Sequence, residues 1–151
     1  MSPLSLLPSD AAAVGVGAVF GALARYHAGR AAAEWIAQQP ATRQRWTGWH
    51  TAGINVAGSF ILGGVTGMPA AAKPPTKAAS AVAVFLPPRQ KLLMGVGFCG
   101  SFTTFSTFSV EVAQWMMKGQ LAKAAAYVVT NNVGGVAAAA TGLFIVKKLL
   151  G

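Results

Sequence analysis

The chain has 151 residues, of which 12 are Lys or Arg, 3 are Asp or Glu, and 54% are apolar. A soluble domain is about a quarter charged, so a charged fraction of 10% is too small to cover a water-exposed surface. The net charge of +9 would suit a nucleic-acid partner, but the basic residues stand singly or in pairs at the ends of apolar segments, as charges flank membrane spans. The composition therefore predicts an integral membrane protein in contact with lipid, without a nucleic-acid partner.

Four apolar segments divide the chain, and a helix needs about 20 mostly apolar residues to cross a membrane. We predict helices at about 11–36, 51–68, 91–117 and 121–147, with a proline-rich loop at 69–90. The apolar stretch 78–86 of that loop is too short to cross. The expected fold class is all-α and integral to the membrane, with four transmembrane helices in one domain over residues 1–151.

The first two segments differ in character. The first is rich in small residues, including Gly17 and Gly21, which let membrane helices approach each other closely. In the second, Thr51, Asn55 and Ser59 recur at every fourth position. This spacing places the three polar side chains on one face of a helix.

The third segment has six hydroxyl side chains between Ser101 and Ser109, interleaved with phenylalanines. Hydroxyls at this density gain nothing from lipid, so we expect them to face protein or a polar path. The spacing of three between Phe102, Phe105 and Phe108 predicts that the rings lie near one face of the helix.

The run from Gly100 to Thr104 favours a helix break at Gly100 to Thr103, because its hydroxyls compete for backbone hydrogen bonds. Broken backbone at membrane depth persists only where protein or a polar cavity satisfies it. Freed carbonyls suit a small cation, whereas hydroxyls, amide N–H groups and the positive edges of aromatic rings suit an anion. The third segment is therefore predicted to mark an ion pathway. The alternative is that these polar residues only bond helices to one another.

Formal charges are nearly absent at mid-span; the nearest are Arg25 and Glu111, and Glu111 is toward the end of the third segment. Further neutral donors come from the second and fourth segments: Asn55, Ser59, Tyr127, Asn131 and Asn132. A weakly attractive path suits conduction, because an ion must leave as well as enter. No nucleotide-binding loop, catalytic pair or metal cluster is recognisable, and an acid–base role for Glu111 would need a second group that the sequence does not offer nearby. We therefore predict that the protein is not an enzyme.

Membrane orientation is not specified by charge. In a four-span chain, the side with the termini and the second loop carries six Lys or Arg, and the opposite side also carries six. An excess of Lys and Arg normally marks the cytoplasmic side. Either the charges of one loop set a single orientation despite the equal count, or copies insert in both orientations and pair antiparallel.

These residues resemble the Fluc/CrcB family of fluoride channels, and the match extends over all four segments. The first segment has Gly21-Ala-Leu-Ala-Arg25-Tyr26, and the second has Asn55-Val-Ala-Gly58-Ser59-Phe60-Ile-Leu-Gly63. The third, Gly97-Phe-Cys-Gly-Ser-Phe-Thr-Thr-Phe-Ser-Thr-Phe-Ser109 followed by Glu111, is nearly the whole family signature. The resemblance implies a dual-topology antiparallel homodimer in the plasma membrane, or the inner membrane of a bacterium. It would export cytoplasmic fluoride passively through two pores and so give fluoride resistance.

The resemblance also assigns roles to particular residues. Asn55 is similar to the amide that lines the pore, and Phe105 and Phe108 to the rings whose edges pass fluoride. The carbonyls of Gly100 and Thr103 are similar to those that bind a structural sodium ion, and no organic cofactor is implied. The remaining members of the predicted fluoride pore are Ser106, Thr107, Tyr127, Asn131 and Arg25.

Three features depart from the family pattern. Asn131 stands where a serine is expected four residues after Tyr127, although its amide can still donate to an anion. His50 stands where a glycine is usual, and the 69–90 loop is longer than expected. These departures bear on rate and gating rather than on the class of protein.

The sequence leaves two other functions as alternatives. A small multidrug-type exporter coupled to protons also has four spans and dual topology, but it needs an ionisable carboxylate within the bundle. The first segment has no acidic residue between Ala11 and Tyr26, and Glu111 is toward the end of the third segment. A structural subunit that only binds other membrane proteins is the third alternative.

Overall fold

The computed structural model describes residues 8–40, 42, 46–69 and 86–150. These residues form four long helices, the third of which is broken. We label them α1 (Pro8–Ala37), α2 (Trp49–Gly67), α3 (residues 88–102), α4 (Phe105–Met117) and α5 (Leu121–Leu150). Helices α3 and α4 are the two halves of one span. The expected all-helical class is confirmed.

Three of these helices are long and apolar enough to cross a membrane: Ser9–Ala37, Pro88–Met117 and Leu121–Leu150. The fourth, α2, has 19 residues and carries the polar face predicted from Thr51, Asn55 and Ser59. That polar content lowers its mean hydropathy. The composition and length of the other three helices therefore support a membrane protein.

The predicted bounds agree with the helices to within three residues at each end. The largest differences are at Pro88, where α3 begins earlier than predicted, and at the two chain-terminal helices. Proline fits the first turn of a helix because that turn has no partner for its missing N–H, so Pro88 starts the helix instead of ending the loop. Of the predicted 69–90 loop, residues 70–85 lie outside the described residues.

The helices pack as two close pairs, α1 with α3 and α2 with α5, and glycines allow their backbones to touch. A Cβ added to Gly21 would collide with the carbonyl of Phe98 on α3. In the other pair, a Cβ on Gly142 would collide with the carbonyl of Phe60, and one on Gly63 with that of Ala139. Only glycine permits these approaches, as expected for membrane helices that associate by packing.

Two stretches wind more widely than an α-helix. They are Leu92–Cys99 in α3 and Thr130–Gly134 in α5, both π-helical. Such turns often occur at functional sites. The second contains Asn131, which faces α2, and the first ends just before the break in the third span.

Candidate anion pathway

The third span breaks at Thr103 and Thr104, whose backbones are extended (φ −81°, ψ 157° and φ −148°, ψ 113°). The last bond of α3 joins the Thr103 N–H to the carbonyl of Cys99 at 3.0 Å. A break was predicted here, and it is present. It lies at the end of the predicted stretch, because Gly100–Phe102 are still helical.

The break separates the phenylalanines that the sequence predicted on one face. Phe102 remains on α3, where its ring stacks on Phe98 at 5.5 Å between centroids. Phe105 and Phe108 belong to α4, with centroids 5.5 Å apart. The prediction of one shared face was wrong for Phe102, because a spacing of three aligns side chains only within an uninterrupted helix.

Asn55 of α2 pairs with the broken backbone through both ends of its side-chain amide. Its Oδ1 accepts the Thr104 N–H at 2.8 Å, and its Nδ2 donates to the Thr104 carbonyl at 3.2 Å. In a continuous helix the Thr104 N–H would donate to Gly100. Asn55 therefore replaces hydrogen bonds that the break removes, which is the satisfaction that backbone at membrane depth requires.

Thr104 caps α4 with its side chain. Its Oγ1 accepts the N–H of Thr107 at 3.2 Å and donates to the Thr107 hydroxyl at 3.0 Å. Ser106 Oγ lies 3.3 Å from the same oxygen. Thr104 was not among the predicted site residues, although a threonine three residues before a helical N–H is a recognisable cap signal.

The hydrogen bonds made by the Asn55 amide and by the Thr104 side chain leave the carbonyls of Gly100 and Thr103 without their helical donors. The N–H groups that would bond them, those of Thr104 and Thr107, are held by Asn55 and by the Thr104 side chain. Gly100 is exposed in the single chain, and Thr103 is half-buried. Neutral carbonyl oxygens suit a hard monovalent cation, so the chemistry of these two carbonyls is compatible with the predicted sodium site.

Asn131 of α5 completes the amide arrangement. The Asn55 Nδ2 donates to Asn131 Oδ1 at 2.8 Å, and the Asn131 Nδ2 donates to the carbonyl of Tyr127 at 3.0 Å. The orientation of both amides follows from the Thr104 N–H, which can only donate and so fixes Oδ1 of Asn55 as the atom facing it. The predicted donor Asn131 therefore presents an acceptor to Asn55.

A pocket of about 210 Å³ lies between α2, the break and α5; we call it the break pocket. It contains four of the predicted pore residues, Asn55, Phe105, Phe108 and Asn131, and also Thr103. The residues that complete its wall are Gly58, Ser59, Leu62, Thr104 and Asn132. Polar groups from three helices thus meet the rings of α4 in one cavity without a formal charge.

The two rings of the pocket differ in setting. Phe105 is 78% exposed, whereas Phe108 is 7% exposed. Phe108 packs against the fully buried Tyr127 with centroids 5.5 Å apart, and Trp115 contacts the same tyrosine at 4.7 Å. Phe108 is therefore part of the core, and Phe105 is free in the single chain to meet another surface.

About one turn after Phe108 on α4, a partly buried polar cluster holds the carboxylate of Glu111. Thr51 donates to its Oε1 at 3.0 Å, and the Tyr127 hydroxyl donates to its Oε2. The same hydroxyl lies 3.3 Å from the carbonyl of Gly48. The sequence suggested no partner for Glu111, because Thr51 and Tyr127 are distant from it in the chain. The only related signal was that Thr51 shares a polar helical face with Asn55.

The other predicted pore residues lie outside the wall of the break pocket. Ser106 and Thr107 are exposed on the first turn of α4, next to the cap. Arg25 is half-buried on α1, four residues after the Gly21 contact with α3. Within the part of the chain that the structure describes, no group of three or more His, Cys, Asp or Glu side chains could hold a metal ion.

The fold and the break pocket define a helical membrane protein with a neutral polar cavity at a helix break. Comparison with known proteins gives the family. The model of the family described as CrcB-like protein, Camphor Resistance (CrcB), matches residues 12–143. The chain belongs to this family.

Curated relatives cover nearly the whole chain. A fluoride-specific ion channel FluC of Gloeobacter violaceus is 35% identical over 134 residues, which is 89% of this chain and 93% of the relative. Proteins with the same name from Nitrobacter winogradskyi and Novosphingobium aromaticivorans are 33% and 38% identical, over 91% and 87% of this chain and 94% and 88% of the relatives.

Proposed function

We propose that this protein is a fluoride-selective channel that passes the ion down its gradient and so lets cytoplasmic fluoride leave. The observation that carries the proposal is the meeting of the Asn55 amide with the rings of Phe105 and Phe108 in one cavity. The names of the relatives support the same ion. Passive conduction needs no catalytic group, and the protein is not an enzyme on this proposal.

The chemistry of the break pocket favours an anion that is small and tightly hydrated. Amide and hydroxyl hydrogens can replace water around such an ion, and ring edges add positive potential without a full charge that would trap it. A carboxylate in the path would repel an anion. Glu111 is held away from the break pocket by Thr51 and Tyr127.

The same contacts disfavour the multidrug-type exporter. That mechanism requires a carboxylate that exchanges protons for a cationic substrate. The Glu111 carboxylate already accepts hydrogen bonds from the hydroxyls of Thr51 and Tyr127. The break pocket itself is lined by neutral groups and does not include Glu111.

We further propose that two copies pair antiparallel and that each of two pores uses surfaces of both. Phe105 is 78% exposed beside a helix break, and broken backbone at membrane depth needs a protein or polar surface to cover it. The balance of six basic residues on each side supports insertion in both orientations. Two lysines added at the C-terminus are expected to bias insertion toward one orientation and lower activity; a single orientation of the wild-type protein in the membrane would contradict dual topology.

The carbonyls of Gly100 and Thr103 are proposed to bind a structural sodium ion at the contact between the copies. The support is that both carbonyls have lost their helical donors. The ion would neutralise the negative ends of these dipoles. Thermal unfolding of the purified dimer should occur at a higher temperature in sodium chloride than in an equal concentration of N-methyl-glucamine chloride, and equal midpoints would contradict the site.

Fluoride release from liposomes tests the channel itself. Purified protein is reconstituted with potassium fluoride inside, and a fluoride electrode follows release when valinomycin carries the counter-charge. We expect rapid release that depends on the protein, and strong discrimination against chloride in a matched experiment. Equal chloride flux, or release no faster than from empty liposomes, would overturn the proposal.

A further inference from the structure

We propose that Asn131 is a latch on the anion site, which its side-chain oxygen closes by holding the Asn55 amide. The ion then binds Asn55 only when the Asn131 side chain turns away. Asn131 would be a positioning residue that sets rate and apparent affinity, since it acts through Asn55. The inference rests on the proposed fluoride function and deepens it.

The first step is a count of the hydrogens on Asn55. Its Nδ2 has two, and both have acceptors: the carbonyl of Thr104 at 3.2 Å and Oδ1 of Asn131 at 2.8 Å. Its Oδ1 is held by the Thr104 N–H at 2.8 Å. The amide of Asn55 thus has no hydrogen left for an anion while Asn131 stays in place.

The second step is to ask which of the two acceptors can yield. The Thr104 carbonyl belongs to the broken backbone, where Asn55 bonds to the N–H and the C=O of the same residue. The Asn131 oxygen is at the end of a side chain with two rotatable bonds. A rotation of Asn131 therefore frees one Asn55 hydrogen without opening the break.

The third step is the position of Asn131. It is half-buried, it lines the break pocket, and it lies in the widened turn Thr130–Gly134. Its own Nδ2 donates to Tyr127 in the preceding turn, so it offers the pocket an oxygen. An oxygen acceptor next to an anion path repels the ion and competes for the same donor.

Two substitutions separate a latch from a donor. Asn131→Ser removes the amide oxygen and leaves a short hydroxyl that can donate, and Asn131→Ala removes every polar group. If Asn131 closes the site, both variants release fluoride faster, and the fluoride concentration that gives half-maximal rate falls. The expected change is about three- to tenfold, the range that one net hydrogen bond covers as an equilibrium constant. If Asn131 donates to the ion, Asn131→Ala releases fluoride more slowly.

The matched comparison is Asn132→Ser, which makes the same chemical change one residue along. Asn132 also borders the break pocket, but its Nδ2 donates to the carbonyl of Val128 and it makes no bond to Asn55. An equal gain in Asn132→Ser would assign the effect to a wider pocket and would overturn the latch. Asn131→Asp keeps an oxygen acceptor near Asn55, so faster release in that variant would also overturn it.

The assay distinguishes the latch from the channel proposal. Each variant is first shown to elute as the same oligomer as the wild type, and release is measured at several fluoride concentrations. Release by the wild type without a gain in Asn131→Ser and Asn131→Ala overturns only the latch. Absence of release from the wild type and from every variant overturns the channel proposal and the latch with it.

Discussion

The two glycine-lined helix pairs and the break pocket solve the same problem, contact between helices in lipid, by opposite means. Between α2 and α5, Gly63 and Gly142 let backbone touch backbone, and the contact depends on shape. Elsewhere on α2, Asn55 makes directed hydrogen bonds around a cavity, to Asn131 of α5 and to Thr104 at the break of the third span. A contact that depends on shape fails when one atom is added, whereas one that depends on bonds fails when a polar group is removed.

The largest expected effect is at the glycine contacts. In Gly142→Ala the new Cβ meets the carbonyl of Phe60, so α2 and α5 must separate, at a cost of about 2 to 3 kcal/mol in the free energy of unfolding. Gly53→Ala is the matched control on α2, because its Cβ would meet nothing within 4 Å and alanine is the better helix former by up to about 1 kcal/mol. Unfolding in detergent measures both. Equal stability of the two variants would refute the close approach.

The rings of the break pocket give the next effect and divide folding from conduction. Phe108→Ile loses packing on Tyr127, so it should lower the free energy of unfolding by about 1 to 2 kcal/mol as well as slow fluoride release. Phe105→Ile, at a ring that is 78% exposed, should slow release at least tenfold and leave monomer stability within about 0.5 kcal/mol. Release at the wild-type rate in both variants would remove the role of the ring edges.

The smallest effect concerns the cap of α4. Thr104→Val keeps the shape of the side chain but removes the oxygen that accepts the Thr107 N–H. We expect a loss of about 1 kcal/mol in the free energy of unfolding. Thr104→Ser keeps the oxygen and should lose less. If serine and valine are equally destabilising, the cap is not the source of the effect.

Much of the fold follows from local features of the sequence. Apolar length predicts the four helices to within three residues, and the glycine and hydroxyl content of residues 100–104 predicts the break. The position of Phe102 does not follow from spacing, because the break that the same residues cause resets the helical phase. At Phe102, the helix break overrides the helical spacing.

The contacts that make the site are the part that sequence does not specify. Asn55 and Thr104 are 49 residues apart, and Asn55 and Asn131 are 76 apart. The periodicity of α2 predicts that Asn55 faces inward, but not which atom it meets. For the same reason Asn131 was expected to offer a donor, and the bond that turns its oxygen to Asn55 becomes visible only when three helices are assembled.

The pairing of Asn55 with Thr104 also limits how the chain can change in length. The Asn55 side chain of α2 hydrogen-bonds to the backbone at the start of α4, so the register between these two helices is fixed to a single residue. One residue inserted in α2 between Trp49 and Asn55 would rotate Asn55 by about 100° relative to the start of the helix and leave the Thr104 N–H without an acceptor. Residues added in the connection before α2, or in the loop before Pro88, would leave the pairing intact. Insertions and deletions should therefore be tolerated in these connections and excluded from the first turns of α2.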